Sequence, residues 1–268
     1  MAIKNLMATQ AIPERVYALC KLVQRKQVER TTLRELVEPK SLNTNVDIFN
    51  YVFNLAESAQ LIGRSPEGAV MSLASTEELD SLVSFRRLMA KKIFRETDEL
   101  FVQFTAWYIS QDEEVFRYSS KTEELAKALP KDFVKVDTQQ ILGWRFWASF
   151  LGIGFMHDTF IIPNMAIRIE DALLDDKPSR IDQAIPFESF LGWLEGNCPE
   201  CKRGLEKGRV PLAISNGLRI LHDQKKIVLR YVPDSAVAWE LYPVESHDIN
   251  RFVTDITIKG ELYEQSTN

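Results

Sequence analysis

The chain has 268 residues, 45% of them hydrophobic and 26% charged, with a formal net charge of −5. This size allows a sizeable core and two or three compact units, and the proportions are those of an ordinary globular protein. The acidity excludes a protein that coats nucleic acid over its whole surface, because phosphate neutralisation by cations supplies that kind of affinity.

Residues 12–27 place Val16, Leu19, Cys20 and Val23 at helical spacing, with Pro13 in the first turn. Thr31 or Thr32 is the expected cap of a short second helix that stops before Pro39. Asn43, Thr44 or Asn45 can cap a third helix over 46–60, striped by Ile48, Val52, Leu55 and Ala59. Two short strands follow over 61–75, around a Ser-Pro-Glu-Gly turn. A helix over 76–94 links this module to the centre. The centre is helical and aromatic over 96–109 and 138–151, and Trp144 and Trp147 lie on a helix that is apolar nearly all round and therefore buried. Gly152 and Gly154 break that helix, and another resumes over 162–174.

The last module opens with a helix over 187–196, a second over 199–207 and a third over 212–225. Alternation in Val228, Arg230, Val232 and in Val237, Trp239, Leu241 predicts a strand pair around the turn between them. A strand around 252–258 can complete the sheet. Helix, strand, loop, strand thus occurs near both ends of the chain. The expected fold is mainly α (α+β), with two winged helix-turn-helix modules, 1–95 and 184–268, flanking a helical central domain, 96–183.

Charge is uneven along these segments. Residues 1–95 carry 14 Lys and Arg against 10 Asp and Glu, residues 96–183 carry 9 against 16, and residues 198–230 carry 8 against 3. The third helix of the first module offers Asp47, Asn50, Asn54 and Glu57 but no cation. In the last module, Ser215, Asn216 and Arg219 are expected on one exposed helix face, with Lys202, Arg203, Lys207, Arg209 and Arg230 around it. Asn and Arg can bond base edges, and the surrounding cations suit phosphates. These eight residues are the expected DNA- or partner-binding site; a protein contact with an ordinary basic surface is the competing reading.

Motifs for catalysis are lacking. Cys198-Pro-Glu-Cys201 could supply half of a zinc site, but only His222 and His247 are near in sequence, and their spacing fits no common finger. The plainer reading puts Pro199 at the start of a helix with both thiols packed inward. Asp171, Asp175 and Asp176 beside Glu170 read as a solvated acidic helix end rather than a metal cluster. Neither a phosphate-binding Gly-rich loop nor a nucleophile elbow is present. No cofactor is expected. With Cys20, the cysteines make no disulfide framework, and neither an export signal nor a membrane-spanning stretch is recognisable, so the expected setting is cytoplasmic.

The stretch GWRFWASFLGIGF with IIPN, then SNGLRILHDQKKIVLRYVPDSAVAWELYP and a closing TDITIKG, resembles bacterial antiviral accessory proteins. Among these it resembles the DpdG component of the gene cluster that places deazapurines in DNA, and the resemblance spans about 138–260. It implies winged-helix modules, genes for helicases or AAA-type ATPases nearby, and a non-catalytic adaptor or specificity role in a DNA-defence complex. It supplies no catalytic residues. A stand-alone transcription regulator is the alternative, and a metal-dependent nuclease using Asp171 and Asp175 is a third reading.

Overall fold

The computed structural model describes residues 3–39, 41, 47–205, 208–233, 235, 237–244, 247 and 251–264. The elements in chain order begin with α1 (Pro13–Arg25), α2 (Arg30–Val37), α3 (Ile48–Ser58), β1 (Ile62–Arg64), β2 (Val70–Ser72) and α4 (Leu82–Ile93). The central helices are α5 (Leu100–Ile109), α6 (Thr122–Ala128) and α7 (Thr138–Phe150). Then come β3 (Gly154–His157), β4 (Phe160–Pro163), α8 (Ala166–Asp175), β5 (Ala184–Pro186) and α9 (Phe187–Asn197). The last elements are β6 (Arg209–Val210), α10 (Leu212–Asp223), β7 (Ile227–Arg230), β8 (Trp239–Leu241), β9 (Phe252–Val253), β10 (Asp255–Ile258) and α11 (Glu261–Glu264). This is an α+β chain, about half helical with small sheets. No helix among the described residues is long and apolar enough to cross a membrane.

Two compact units emerge, 1–101 with 121–151 and 102–120 with 152–268. The stretch 96–183, read from the sequence as one central domain, is shared between them.

In the first unit, α1 buries Val16, Leu19, Cys20 and Val23, and packs against α3, which buries Phe49, Val52 and Phe53. The start of α3 is held twice. Asp47 accepts from the Asn50 amide at 3.2 Å, and the carboxylate of Glu38 accepts from the Ile48 and Phe49 amides at 3.1 and 2.9 Å. These acceptors satisfy donors that a helix start leaves open. The expected caps Asn43, Thr44 and Asn45 lie outside the described residues. The cap expected at Thr31 or Thr32 is not formed; both fall inside α2, which starts after Glu29. β1 and β2 pair antiparallel from Ile62↔Ser72 to Arg64↔Val70, and Val28, between α1 and α2, bridges to Val70. α4 begins only at Leu82, capped by Ser81, rather than at 76, and its Leu82 and Val83 are exposed.

α7 opens with a capping box between Asp137 and Gln140. Trp144 and Trp147 are buried as expected, and the Trp147 indole donates to the Ala11 carbonyl at 2.8 Å. A Cβ on Gly143 would sit 2.0 Å from the Met7 carbonyl oxygen, so the N-terminal segment crosses α7 only because this residue is glycine.

In the second unit, β10 is the central strand of the sheet β5-β10-β7, antiparallel to both neighbours. Here the structure corrects the reading of 227–243 as a hairpin. Both strands exist, but β7 pairs with β10, while β8 pairs with β6 and β9. β10 buries Ile256, Thr257 and Ile258 and offers β7 a four-residue register, which the short β8 does not. A hairpin of β3 and β4, missed in the sequence, turns at residues 158–159 between the glycines and α8.

One order of elements occurs in both units. α1, Val28, α2, α3, β1 and β2 correspond to α8, β5, α9, α10, β7 and β10, with β6 added before α10 and with β8 and β9 added between β7 and β10. In each, the first and third helices pack together and the first short strand joins the last. In the second unit this order begins with α8. Gly217 on α10 permits the close crossing, since a Cβ there would lie 2.7 Å from the Ala166 amide of α8.

Candidate functional site

Helix α10 is the element on which the expected site was built, and its surroundings decide what that site can do. Its first residues follow Pro211, which has no side-chain acceptor. Asp112 takes that role from a distant part of the chain: Oδ1 accepts from the Leu212 amide at 2.8 Å, and Oδ2 from Arg209 at 3.1 Å. Arg209 in turn lies 5.1 Å over the ring of Tyr242. Burial, with a hydrogen bond to Glu113, pushes the Tyr242 hydroxyl up to about 12.

Burial also lifts the Asp112 carboxyl above its ordinary value of 3.8, outweighing the Leu212 amide and Arg209. The proton is therefore held more tightly in the fold than in the unfolded chain, and stability from this group falls as pH rises from 3.8 through the raised value. Asp112→Ala removes the cap and should cost about 1 kcal/mol. Asp112→Asn keeps the acceptor and should flatten that pH dependence, as read from urea midpoints at several pH values.

The expectation that Ser215, Asn216 and Arg219 share an exposed face is corrected. Ser215 is fully buried: its hydroxyl donates to the Val210 carbonyl at 3.0 Å and accepts from the Tyr242 amide at 2.9 Å. A small hydroxyl so satisfied is compatible with a core. Asn216 is half-buried and donates to the Pro163 carbonyl at 3.4 Å. Arg219 is only 4% exposed, and its Nε and Nη1 have no hydrogen-bond partner among the described residues. Burial lowers its pKa, against the attraction of Asp223. A helix presented to a DNA groove needs a free face, and α10 has little of one.

The remaining expected residues are dispersed. Lys202 and Arg203 are exposed on the 3-10 helix Pro199–Gly204, whose end packs on Pro211. Arg209 sits with Ser215 around Tyr242, whereas exposed Arg230 ends β7, opposite Asp255. Lys207 lies outside the described residues. In the first unit, cations missing from α3 itself arrive from its neighbours. Arg30 lies 4.8 Å over the Phe53 ring and bonds Asn50, Arg34 is 3.5 Å from Asp47, and Arg64 is 3.7 Å from Glu57. Sequence spacing on α3 alone could not show this.

Pro199 opens its 3-10 helix, and Cys198 and Cys201 are fully buried. Burial pushes the Cys201 thiol well up, and Cys20 up to about 12, which makes poor nucleophiles of both. Beside them Arg168 and Glu200 form a buried ion pair at 2.8 Å. The histidines are scattered: His222 accepts from the Leu229 amide, His247 pairs with Asp223, and His157 is exposed. Asp176 accepts from Trp193 and Asn197, and Asp171 is buried. Among the described residues, no group of three or more His, Cys, Asp or Glu could hold a metal ion.

The sequence profile of the DpdG-like family matches residues 1–235. The chain belongs to the DpdG-like family. The match takes in both third helices, the CxxC and all but the last part of the second unit of this family member. No curated protein and no solved structure matches the chain.

Proposed function

We propose that this DpdG-like chain is a non-catalytic winged-helix adaptor of a bacterial antiviral DNA-defence complex. The order helix, strand, helix, helix, strand, strand in the first unit, repeated with added strands in the second and with the first strand on the last in each, supports the winged-helix reading, and the family membership supports the defence setting. The observation that carries the adaptor reading is the burial of Ser215 and Arg219 on α10. A module whose reading helix is covered by its own chain keeps the fold but not the face that discriminates bases. The stand-alone regulator is disfavoured for the same reason.

DNA contact by the second unit is then limited to phosphates, through the exposed cations Lys202, Arg203, Arg209 and Arg230, with Lys207 added from the sequence. Arg230→Ala should weaken binding to unrelated duplexes equally and lower the salt slope by about one. A loss confined to one sequence would assign Arg230 a base contact instead.

The resemblance noted from the sequence makes an ATPase or helicase encoded nearby the expected protein partner. Co-expression with that partner should give one complex that survives size-exclusion chromatography at about 0.15 M salt, where weak surface charge contacts are screened. Elution of the chain by itself would count against the adaptor role.

A further inference from the structure

Between α1, α2 and the start of α3, the first unit has a cleft of about 840 Å³. Its floor and lip are aliphatic, with Ala18, Leu22, Leu36, Val37, Pro39 and Ile48. Leu36 is 56% exposed, although such residues usually lie inside. Three cations of α1 also line the cleft: Arg15, Lys21 and Arg25. The cleft's acid, Glu38, already has both oxygens engaged by the Ile48 and Phe49 amides. Among the described residues, the lining is thus an apolar trough with three cations against one carboxylate, a net positive charge.

We infer that this cleft docks an acidic amphipathic helix of a partner protein. Arg15 and Arg25 are ten residues apart on one helix, about 15 Å, which is the length of some three turns of a bound helix. Apolar residues at i, i+3 or i+4 and i+7 would fill the trough, and flanking Asp and Glu would meet the three cations. A nucleic acid fits poorly, since phosphates gain nothing from an aliphatic floor. Tyr17, the lining aromatic, has its hydroxyl tied to the Leu79 carbonyl at 3.1 Å. The inference rests on the adaptor reading and adds to it the place and chemistry of the contact.

The test uses the full chain with the photoreactive residue benzoylphenylalanine at Leu36, expressed with the other products of its gene cluster. Cross-linked peptides are sequenced, and co-purification is recorded from the same cells. The expected product joins this chain to a segment of another protein that has apolar residues at helical spacing and acidic flanks. Lys21→Glu with Arg25→Glu should reduce its yield roughly tenfold, as reversal of complementary charges does, with an unchanged melting temperature. Cross-links to a second copy, to nucleic acid or to a basic segment would overturn the inference, as would a yield insensitive to the charge reversal. Co-purification without a cross-link at Leu36 removes the cleft and leaves the adaptor reading standing; loss of both removes both.

Discussion

Trp147→Ala should lower the unfolding free energy by about 3–5 kcal/mol, the usual cost of deleting a large buried aromatic where the site cannot collapse. The residue is fully buried, meets Phe150 edge-on at 5.9 Å, and donates to the Ala11 carbonyl at 2.8 Å. The site is poorly able to close, because Gly143 one turn earlier already holds the Met7 backbone against α7. Trp147→Phe keeps much of the volume but leaves the Ala11 carbonyl without its donor, so it should fall between the two. Chemical denaturation read by near-ultraviolet circular dichroism checks both. An unchanged midpoint for the alanine variant would show that α7 is not part of the core.

Arg168→Ala should cost a comparable amount, about 3–5 kcal/mol, because it leaves a charge buried without its partner. Side chains of Arg168 and Glu200 are 5% and 0% exposed, and Arg168 also donates to the Asn197 carbonyl at 2.9 Å. Burial opposes the guanidinium charge, but Glu200 and the adjoining Cys198 and Cys201 outweigh it and hold the Arg168 pKa above its ordinary value. Without Arg168, the fully buried Glu200 carboxylate loses its guanidinium partner. Replacing both residues with Met should come close to wild type, since an apolar pair of similar volume often matches a buried ion pair. A single variant as stable as wild type would mean that the pair does not hold α8 to the 3-10 helix Pro199–Gly204.

The sequence revealed helices better than it revealed partners. Periodicity located α3, α7 and α10 to within two residues, and the apolar girth of α7 correctly implied buried tryptophans. Strand pairing failed where it depended on distant segments. β7 looks locally like half of a hairpin, yet its partner lies at 255–258, and nothing in the spacing of 227–243 distinguishes the two. The site failed for a related reason. Ser215 and Arg219 are polar, and a polar position on an amphipathic helix reads as exposed, but both are covered by other parts of the chain. One signal was present: Pro211 before α10 offers no side-chain cap, so an acceptor had to come from elsewhere, and it is Asp112.

An adaptor without a base-reading helix in its second unit, the role proposed for this chain, should not discriminate between DNA sequences. Fluorescence anisotropy of the protein on a set of unrelated duplexes of equal length should give affinities equal to within roughly twofold at a given salt concentration, falling steeply as salt rises, because phosphate contacts carry no sequence information. One duplex preferred by roughly a thousandfold or more, the discrimination typical of specific DNA-binding proteins, would contradict that role and restore the transcription regulator.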